Sequence, residues 1–516
     1  MNLLKATGTI GGLTLVSRIA GFAREMVMAR VLGAGFYTDA FLVAFRLPNT
    51  FRRLFGEGAF SAGFVPLYSQ RLQSGGDEEA RHFSEEVLAV FLPTLVIFTA
   101  IFEIIMPAFV ALFHYRGEEL AFVSFLTRIT FPYLFLISLV SLFSGILNSL
   151  ARFTAAAFAP ALLNIAMLIA LAFFNEGGAI TATALAAAVT AGGVLQLGLL
   201  MWSAKRAGIV LKVRRPRLTP GVRQFIRVVI PATLGAGVYQ MSILIDTFFL
   251  TRLGTGAVSH FNYADRLNQL PLGVIGAALG TAILPTVSRF VDKGEPERAA
   301  KVQGQAAELA MLLCLPAAIA LSVSALPLIS AIFESGRFSA EDARSTALCL
   351  SFIALGLPAY VLVKVLTPGF YARRDTATPV KIAVFVLIAN VILNFLLFPW
   401  GLGGLAAAVA ISSWLNCFIL YGILHARGFF KIEGWLASRL IRQLIAAAAM
   451  AAALYGISIG IADWFTGSTG KRLVGVAALV GGGMAVYFPA VWFLGGTDKE
   501  ELKSLFRRRR PYTDVG

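Results

Sequence analysis

In the stretch RLPNTFRRLFGEGAF, residues 46–60, three arginines and one acid (Arg46, Arg52, Arg53 and Glu57) interrupt sequence that is otherwise apolar. Asp39 lies earlier in the same run, and the same happens upstream, where Arg18, Arg24, Glu25 and Arg30 punctuate a second long apolar run. An ionised side chain at the centre of a membrane-spanning helix costs about 2.5–3.5 kcal/mol, so such groups face a protein interior or a water-filled cavity. Over the two runs, six arginines (18, 24, 30, 46, 52 and 53) meet three acids (Glu25, Asp39 and Glu57), and internal pairing leaves cationic charge over. Guanidinium is planar, permanently charged and able to grip oxyanions two bonds at a time. The surplus therefore predicts an anionic ligand, a phosphate or diphosphate, and argues against a proton or simple cation as the main cargo.

Helical spacing assigns faces to these groups. Arg18 and Glu25 are seven residues apart and share a side, as do Arg46 and Arg53, with Glu57 four residues further on. Pro48 predicts a kink between them. Arg53 with Glu57 is either part of the cavity or an intrahelical pair. Arg30 and Arg128 have the positions of side chains that snorkel to an interface. Later in the chain the in-span charges are Glu103, Asp246, Asp265, Arg266 and Lys364.

The elements that must hold these groups are membrane helices. Of 516 residues, 58% are apolar and 14% charged, and the mean hydropathy is +0.77, outside the range of soluble globular chains. Crossing about 30 Å of hydrocarbon takes roughly 20 residues. Fourteen such spans are read at 7–33, 38–69, 84–113, 118–148, 157–175, 179–203 and 221–251, then 258–288, 302–332, 344–371, 379–399, 402–424, 440–462 and 473–495. They are continuous and rich in Ala, Leu and Gly without two-residue alternation, hence helices and not barrel strands. The first lacks the short apolar core and small-residue cleavage site of a signal peptide and is expected to be retained.

The net charge of +16 belongs to the loops. On this span map 29 of the 44 Lys and Arg lie on the side of both termini, including Lys205, Arg206, Lys212, Arg214 and the tail Arg507–Arg510, against six on the other. The positive-inside rule then puts both termini in the cytoplasm and makes the basic tail an orientation and lipid-headgroup signal, with no nucleic-acid role. Cys314, Cys349 and Cys417 lie in apolar spans as packing residues, and the four histidines have no metal-binding spacing. GSTGKR at 467–472 has the wrong spacing for a nucleotide-binding P-loop. Energy must therefore come from a gradient, the membrane potential or a downstream sink.

The chain also repeats itself. LGAG at 32–35 matches LGTG at 253–256, an offset of 221, and Arg46 matches Arg266 at 220. Pro66 matches Pro285 and Pro160 matches Pro379, both at 219. A six-helix unit is duplicated, and because six is even both copies enter the membrane from the same side. The expected fold is an all-α polytopic membrane protein of 14 transmembrane helices. Two parallel six-helix lobes, 1–217 and 218–428, surround a central cavity, and a further pair with a basic cytoplasmic tail occupies 429–516.

Four segments, MNLLKATGTIGGLTLVSRIAGFAREMVMARVLGAG, TDAFLVAFRLPNTFRRLFGEGAFSAGFVP, YADRLNQLPLGVIGAALGTAILP and VKVLTPGFYARRDTATPVK, closely resemble the MurJ (MviN) family of lipid II flippases. These act in bacterial peptidoglycan synthesis and belong to the multidrug/oligosaccharidyl-lipid/polysaccharide exporter superfamily. The resemblance runs through essentially the whole chain. It implies a transporter and not an enzyme, placed in the bacterial inner membrane and needed for cell-wall biogenesis and cell shape. Its cargo would be lipid II, an undecaprenyl-diphosphate-linked disaccharide peptide, with cell-wall synthesis proteins as candidate partners. It implies that Arg18, Arg24, Arg52 and Arg266 line the cavity or are needed for function and that Asp39 matters. Glu25, Arg53, Glu57, Asp265 and Lys364 complete the candidate substrate-binding set, and spans 13 and 14 would form a groove for the isoprenoid tail. Glu25 stands where relatives often have Asp, which keeps the charge.

No cofactor is expected beyond a candidate sodium ion. Some members of the family resemble sodium-coupled carriers, and here Asp246, Asn390 and Asn394 could supply oxygen ligands, the two asparagines sharing a face at i, i+4. The same groups could instead bond between helices. The resulting expectation is alternating access: Arg24, Arg52 and Arg266 clamp the diphosphate, and a hinge at Pro368 and Gly369 beside Lys364 helps the lobes close. One alternative is a cation-coupled multidrug exporter, or a carrier of another polyprenyl-diphosphate oligosaccharide, from the same superfamily. A second, a membrane enzyme cleaving a lipid diphosphate, lacks a nucleophile or metal cluster in the sequence.

Overall fold

The computed structural model describes residues 3–53, 59–465, 467 and 469–498. Glu57 and the tail arginines 507–510 lie outside the described residues. Among those described there are helices and no strand. In order they are α1 (Leu3–Leu32), α2 (Phe36–Arg52), α3 (Ala59–Ala111), α4 (Gly117–Thr130), α5 (Pro132–Ser149), α6 (Thr154–Phe173), α7 (Gly178–Arg206), α8 (Pro220–Leu250) and α9 (Ala257–Asp292). Then follow α10 (Pro296–Val323), α11 (Ala325–Phe333), α12 (Ala340–Ala354), α13 (Leu357–Tyr371), α14 (Ala377–Leu397), α15 (Gly401–Ala426), α16 (Gly434–Gly460), α17 (Ala462–Phe465) and α18 (Thr469–Leu494). Among the described residues nine stretches are long and apolar enough to cross a membrane, and Ala377–Ala426, at 50 residues, holds two crossings joined by the turn Phe398–Trp400. The chain is a multi-pass membrane protein.

Prolines and glycines set the breaks. The fourth predicted span is two helices, α4 and α5, which meet at Pro132, and the tenth is α12 and α13, which meet before Pro358. The polar stretch between spans 2 and 3 is helical on either side of Gly76, where the two parts of α3 meet at a kink; the φ of 71° there is a conformation that glycine adopts without a side-chain clash. Pro48 leaves α2 helical as far as Arg52. It has no N–H for the Ala44 carbonyl, and the Thr130 hydroxyl of α4 donates to that oxygen at 2.8 Å instead.

By contacts the chain divides into two compact units. The first comprises Met1–His260 with Ser335–Asp342, and the second Phe261–Glu334 with Ala343–Gly516. In the first, α1 packs on α6, α6 on α7, and α3 on α5 and α8. Its core is aromatic: Phe60, Phe64, Tyr68, Phe83 and Phe225 are buried together. The basic linker before α8 is tied to α3. The buried Glu85 accepts from the Lys212 N–H at 3.1 Å and Arg214 Nε at 2.6 Å, and Glu86 accepts from Thr219 Oγ1 at 2.9 Å.

In the second unit α16 and α18 pack on each other and on α10, sharing a core of Ala307, Met311, Cys314, Ala447, Met450 and Tyr487. Arg439 of α16 bridges Glu308 of α10 at 2.8 Å and Asp498 at 3.2 Å. Helices α13, α14 and α15 make a separate core around Phe370, Ile382, Cys417 and Leu420. The turn between α13 and α14 is clasped by Asp375, which accepts from the Thr378 N–H and hydroxyl and from Arg427. Those bonds, Thr378 first, hold the carboxyl down from its ordinary 3.8 to about 2.

Candidate functional site

Helix α1 approaches α6 closely at Gly21, where a Cβ would lie 3.4 Å from Asn164. Just beyond, Arg24 and Glu25 are both buried and form an ion pair. Arg24 Nη1 also donates to Asn164 Oδ1 at 2.9 Å, and Asn164 Nδ2 donates to the Ser17 carbonyl at 3.1 Å. Arg24 is thus neutralised by its neighbour and fastened to α6. Arg18 lies on the exposed surface of α1 and Glu25 does not, although seven residues separate them. The cover that α6 provides around Asn164 and Met167 reaches Arg24.

Helix α2 carries three further arginines. Arg46 Nη1 donates to Thr247 Oγ1 of α8 at 2.5 Å, one residue from Asp246, which is half-buried. Arg52 Nε donates to Asn49 Oδ1 at 3.0 Å. Arg52 also lines a cleft within the first unit, with Ser61, Ser144, Asn148 and Gln196 among its other walls. Arg53 is half-buried at the end of the helix.

At the other end of α2 lies Asp39. This residue sits in the first turn of α2 and is 4% exposed. Its carboxylate accepts from the Gly256 N–H at 2.6 Å, the Ser259 N–H at 2.8 Å and the Ser259 hydroxyl. Those N–H groups belong to the start of α9, where a helix presents unsatisfied donors and the positive end of its dipole. Asp39 thus acts as an N-cap supplied from another helix. Beside it, His260 Nε2 meets Asp342 Oδ1 at 3.1 Å, while Asp342 and Ser339 cap the start of α12 reciprocally. The Arg337 N–H donates to the Arg30 carbonyl at 2.9 Å, a contact so close that a Cβ on Gly33 would stand 2.6 Å from the Arg337 carbonyl oxygen.

In the second unit, Asp265 accepts from Gln269 one turn along α9, and Arg266 beside it is half-buried. Lys364 is exposed on α13 and its chain lies against Gly276 of α9, where a Cβ would be 2.6 Å from Nζ. Asn394 Nδ2 donates to Asn390 Oδ1 at 3.2 Å, and Asn390 Nδ2 to Ser412 Oγ at 3.3 Å, linking α14 to α15. These oxygens are of the hard type that alkali and alkaline-earth cations take, and the same bonds already serve the interhelical role. Asp246 belongs to the first unit and the asparagines to the second. Among the described residues no group of three His, Cys, Asp or Glu side chains could hold a metal.

Residues 28–475 match the family model described as lipid II flippase MurJ. The chain belongs to the MurJ family. It is 39% identical to a protein of Rhizobium meliloti (strain 1021) named "Probable lipid II flippase MurJ", over 98% of this chain and 97% of that one. It is 37% identical to the "Lipid II flippase MurJ" of Burkholderia cenocepacia, over 96% and 98%. The solved structure titled "Lipid II flippase MurJ, inward closed conformation" has the same fold, with a TM-score of 0.77, 22% identity and coverage of 96% and 99%. Sequence reasoning over charges had found Arg24, Asp39 and Arg52. It did not single out the neutral partners Asn164, Thr247 and Ser259, or Gln196 in the cleft that Arg52 lines, whose only signal was a polar side chain in an apolar run.

Proposed function

We propose that this MurJ family member moves lipid II across the bacterial inner membrane, from the cytoplasmic to the outer leaflet, by alternating access. Family membership over nearly the full chain supports the cargo. The observation that carries the reading is the arrangement of charge in the first unit. Arg24 is held by Glu25, and Arg52 lines a cleft among neutral polar side chains. A diphosphate offers oxyanions to such a group, and guanidinium remains charged at any working pH.

On this reading Arg52 and Arg266 bind the diphosphate, with Arg18, Arg53, Glu57, Asp265 and Lys364 around the headgroup's path. Arg24 joins them only when it leaves Glu25. Asp39, capping α9, holds the outer end shut while the headgroup loads from the cytoplasm, where the loop charges put both termini. The helix pair after residue 429 accompanies the lipid tail, the repeat defines the two moving lobes, and a sodium ion at Asp246, Asn390 and Asn394 couples the cycle. Cell-wall synthesis proteins are the partner class that the cargo implies.

Charge reversal at Arg52 or Arg266 tests the phosphate contacts. The variants Arg52→Glu and Arg266→Glu should reach the membrane at normal levels yet fail to support growth when the native protein is withdrawn. Full complementation by both would refute the assignment.

A further inference from the structure

The cleft that Arg52 lines has a character of its own. It lies within the first unit, walled by residues of α1, α2, α3, α5, α6 and α7, with a volume of about 360 Å³, inside the range of about 300–1,000 Å³ usual for small-molecule sites. Apart from Arg52 its polar walls are neutral: Thr14, Ser61, Ser141, Ser144, Asn148 and Gln196. Gln196 is 1% exposed; its Nε2 donates to the Ala159 carbonyl at 2.9 Å, and its Oε1 is buried with no hydrogen-bond partner. The bond to Ala159 fixes which end of the carboxamide is oxygen, so the unmet group is an acceptor.

A second acceptor adjoins it. Pro160, inside α6, has no N–H to give the carbonyl of Ala156, another lining residue. At Pro48 the equivalent vacancy is filled by Thr130, but no side chain among the described residues donates to Ala156. The cleft therefore combines one cationic donor and neutral hydroxyl and carboxamide groups, which can donate or accept, with the unmet acceptor of Gln196. A bare phosphate would use Arg52 and leave Gln196 and Ala156 facing oxygen with oxygen. An acyl chain would leave both unsatisfied, at a cost of about 1–3 kcal/mol for each buried polar group. The ligand that matches brings its own donors, hydroxyl or amide N–H groups, next to an oxyanion.

We infer that this cleft is a saccharide subsite, in which Gln196 and the Ala156 carbonyl accept hydrogen bonds from a sugar whose phosphate is held by Arg52. The inference rests on the lipid II reading above and deepens it by separating recognition of the sugar from recognition of the diphosphate. Asn148, exposed near the end of α5, forms the rim, where a sugar enters before it reaches the buried wall.

The test measures binding of two lipids to the purified full chain in nanodiscs: undecaprenyl diphosphate, and the same lipid carrying a disaccharide. The wild type should bind the glycosylated lipid more tightly. Gln196→Met, similar in volume, should weaken that lipid by about tenfold, the loss of one hydrogen bond, and leave the bare diphosphate unchanged. Asn148→Ala, at an exposed position that does not threaten the fold, should shift selectivity in the same direction. Arg52→Ala should weaken both lipids. Equal binding of the two lipids by the wild type would overturn the inference. So would variants at Gln196 and Asn148 that keep the wild-type preference, and a Gln196→Met protein that only loses thermal stability, which would make Gln196 a tie between α7 and α6. A wild type that binds neither lipid would count against the flippase reading itself.

Discussion

Asp39 and Ser259 occupy matching positions in the two sequence copies, 220 residues apart, and are bonded to each other, the Ser259 N–H donating to Asp39 Oδ1 at 2.8 Å. The two differ in chemistry: one is the acceptor, and the other supplies a hydroxyl and the open end of a helix. Asp39→Ala should remove charge-assisted bonds of about 1.5–3 kcal/mol each before compensation by water. Cysteines placed around His260 should then become more reactive to a membrane-impermeant thiol reagent added from outside. Ser259→Asp, by opposing two carboxylates, should do the same. The exchange of both residues, Asp39→Ser with Ser259→Asp, should recover part of the protection, because the N-cap of α2 has no side-chain bond of its own and can take the transferred carboxylate. Unchanged labelling in Asp39→Ala would show that the cap does not hold this end closed.

Arg24 and Glu25 separate stability from transport. Both are buried, and removing one partner of a buried pair strands the other at about 3–5 kcal/mol. Arg24→Ala should therefore lower thermal stability in micelles as well as activity. Replacing both by methionine should restore stability but not complementation, if Arg24 also serves the cargo. Complementation by the double variant would reduce Arg24 to a structural role.

The C-terminal pair is fastened by Arg439, whose partner Glu308 is 2% exposed. Arg439→Ala should raise hydrogen exchange across α16 and α18 more than elsewhere, since a buried carboxylate is left without its cation. The reversal Glu308→Arg with Arg439→Glu should return most of the protection. Exchange that rises evenly along the chain would contradict a local fastening.

Sodium coupling has a direct readout. Replacing sodium with choline should slow headgroup exposure in proteoliposomes, and Asp246→Asn should abolish the difference between the two salts. Equal rates in both salts for the wild type would leave Asn390, Asn394 and Ser412 with their interhelical hydrogen bonds as their whole role.

Much of the fold was legible because a membrane helix is long and uniformly apolar. Span 7, read at 221–251, is α8 at Pro220–Leu250. Polarity and helicity part company around Gly76: the polar run was read as a break, and a break does fall there, at a kink between two helices, while the charged residues on either side are helical. Pro48 stands inside α2, which continues to Arg52, and the carbonyl it leaves without an N–H is met by Thr130 of α4, a meeting that no local pattern encodes. Charges announce themselves in an apolar sequence, so Arg24, Asp39 and Arg52 stood out. Their partners are neutral and distant in sequence, as Asn164 is from Arg24 by 140 residues, and no local pattern encodes that meeting.

Flipping itself is the central claim, and the most direct measurement is the exposure of labelled lipid II on the outer leaflet of cells from which this protein is depleted and no other flippase is present. The account predicts that exposure stops while lipid II accumulates inside, and that the wild-type protein, but not Arg52→Glu, restores it. Continued exposure at the undepleted rate would contradict the account.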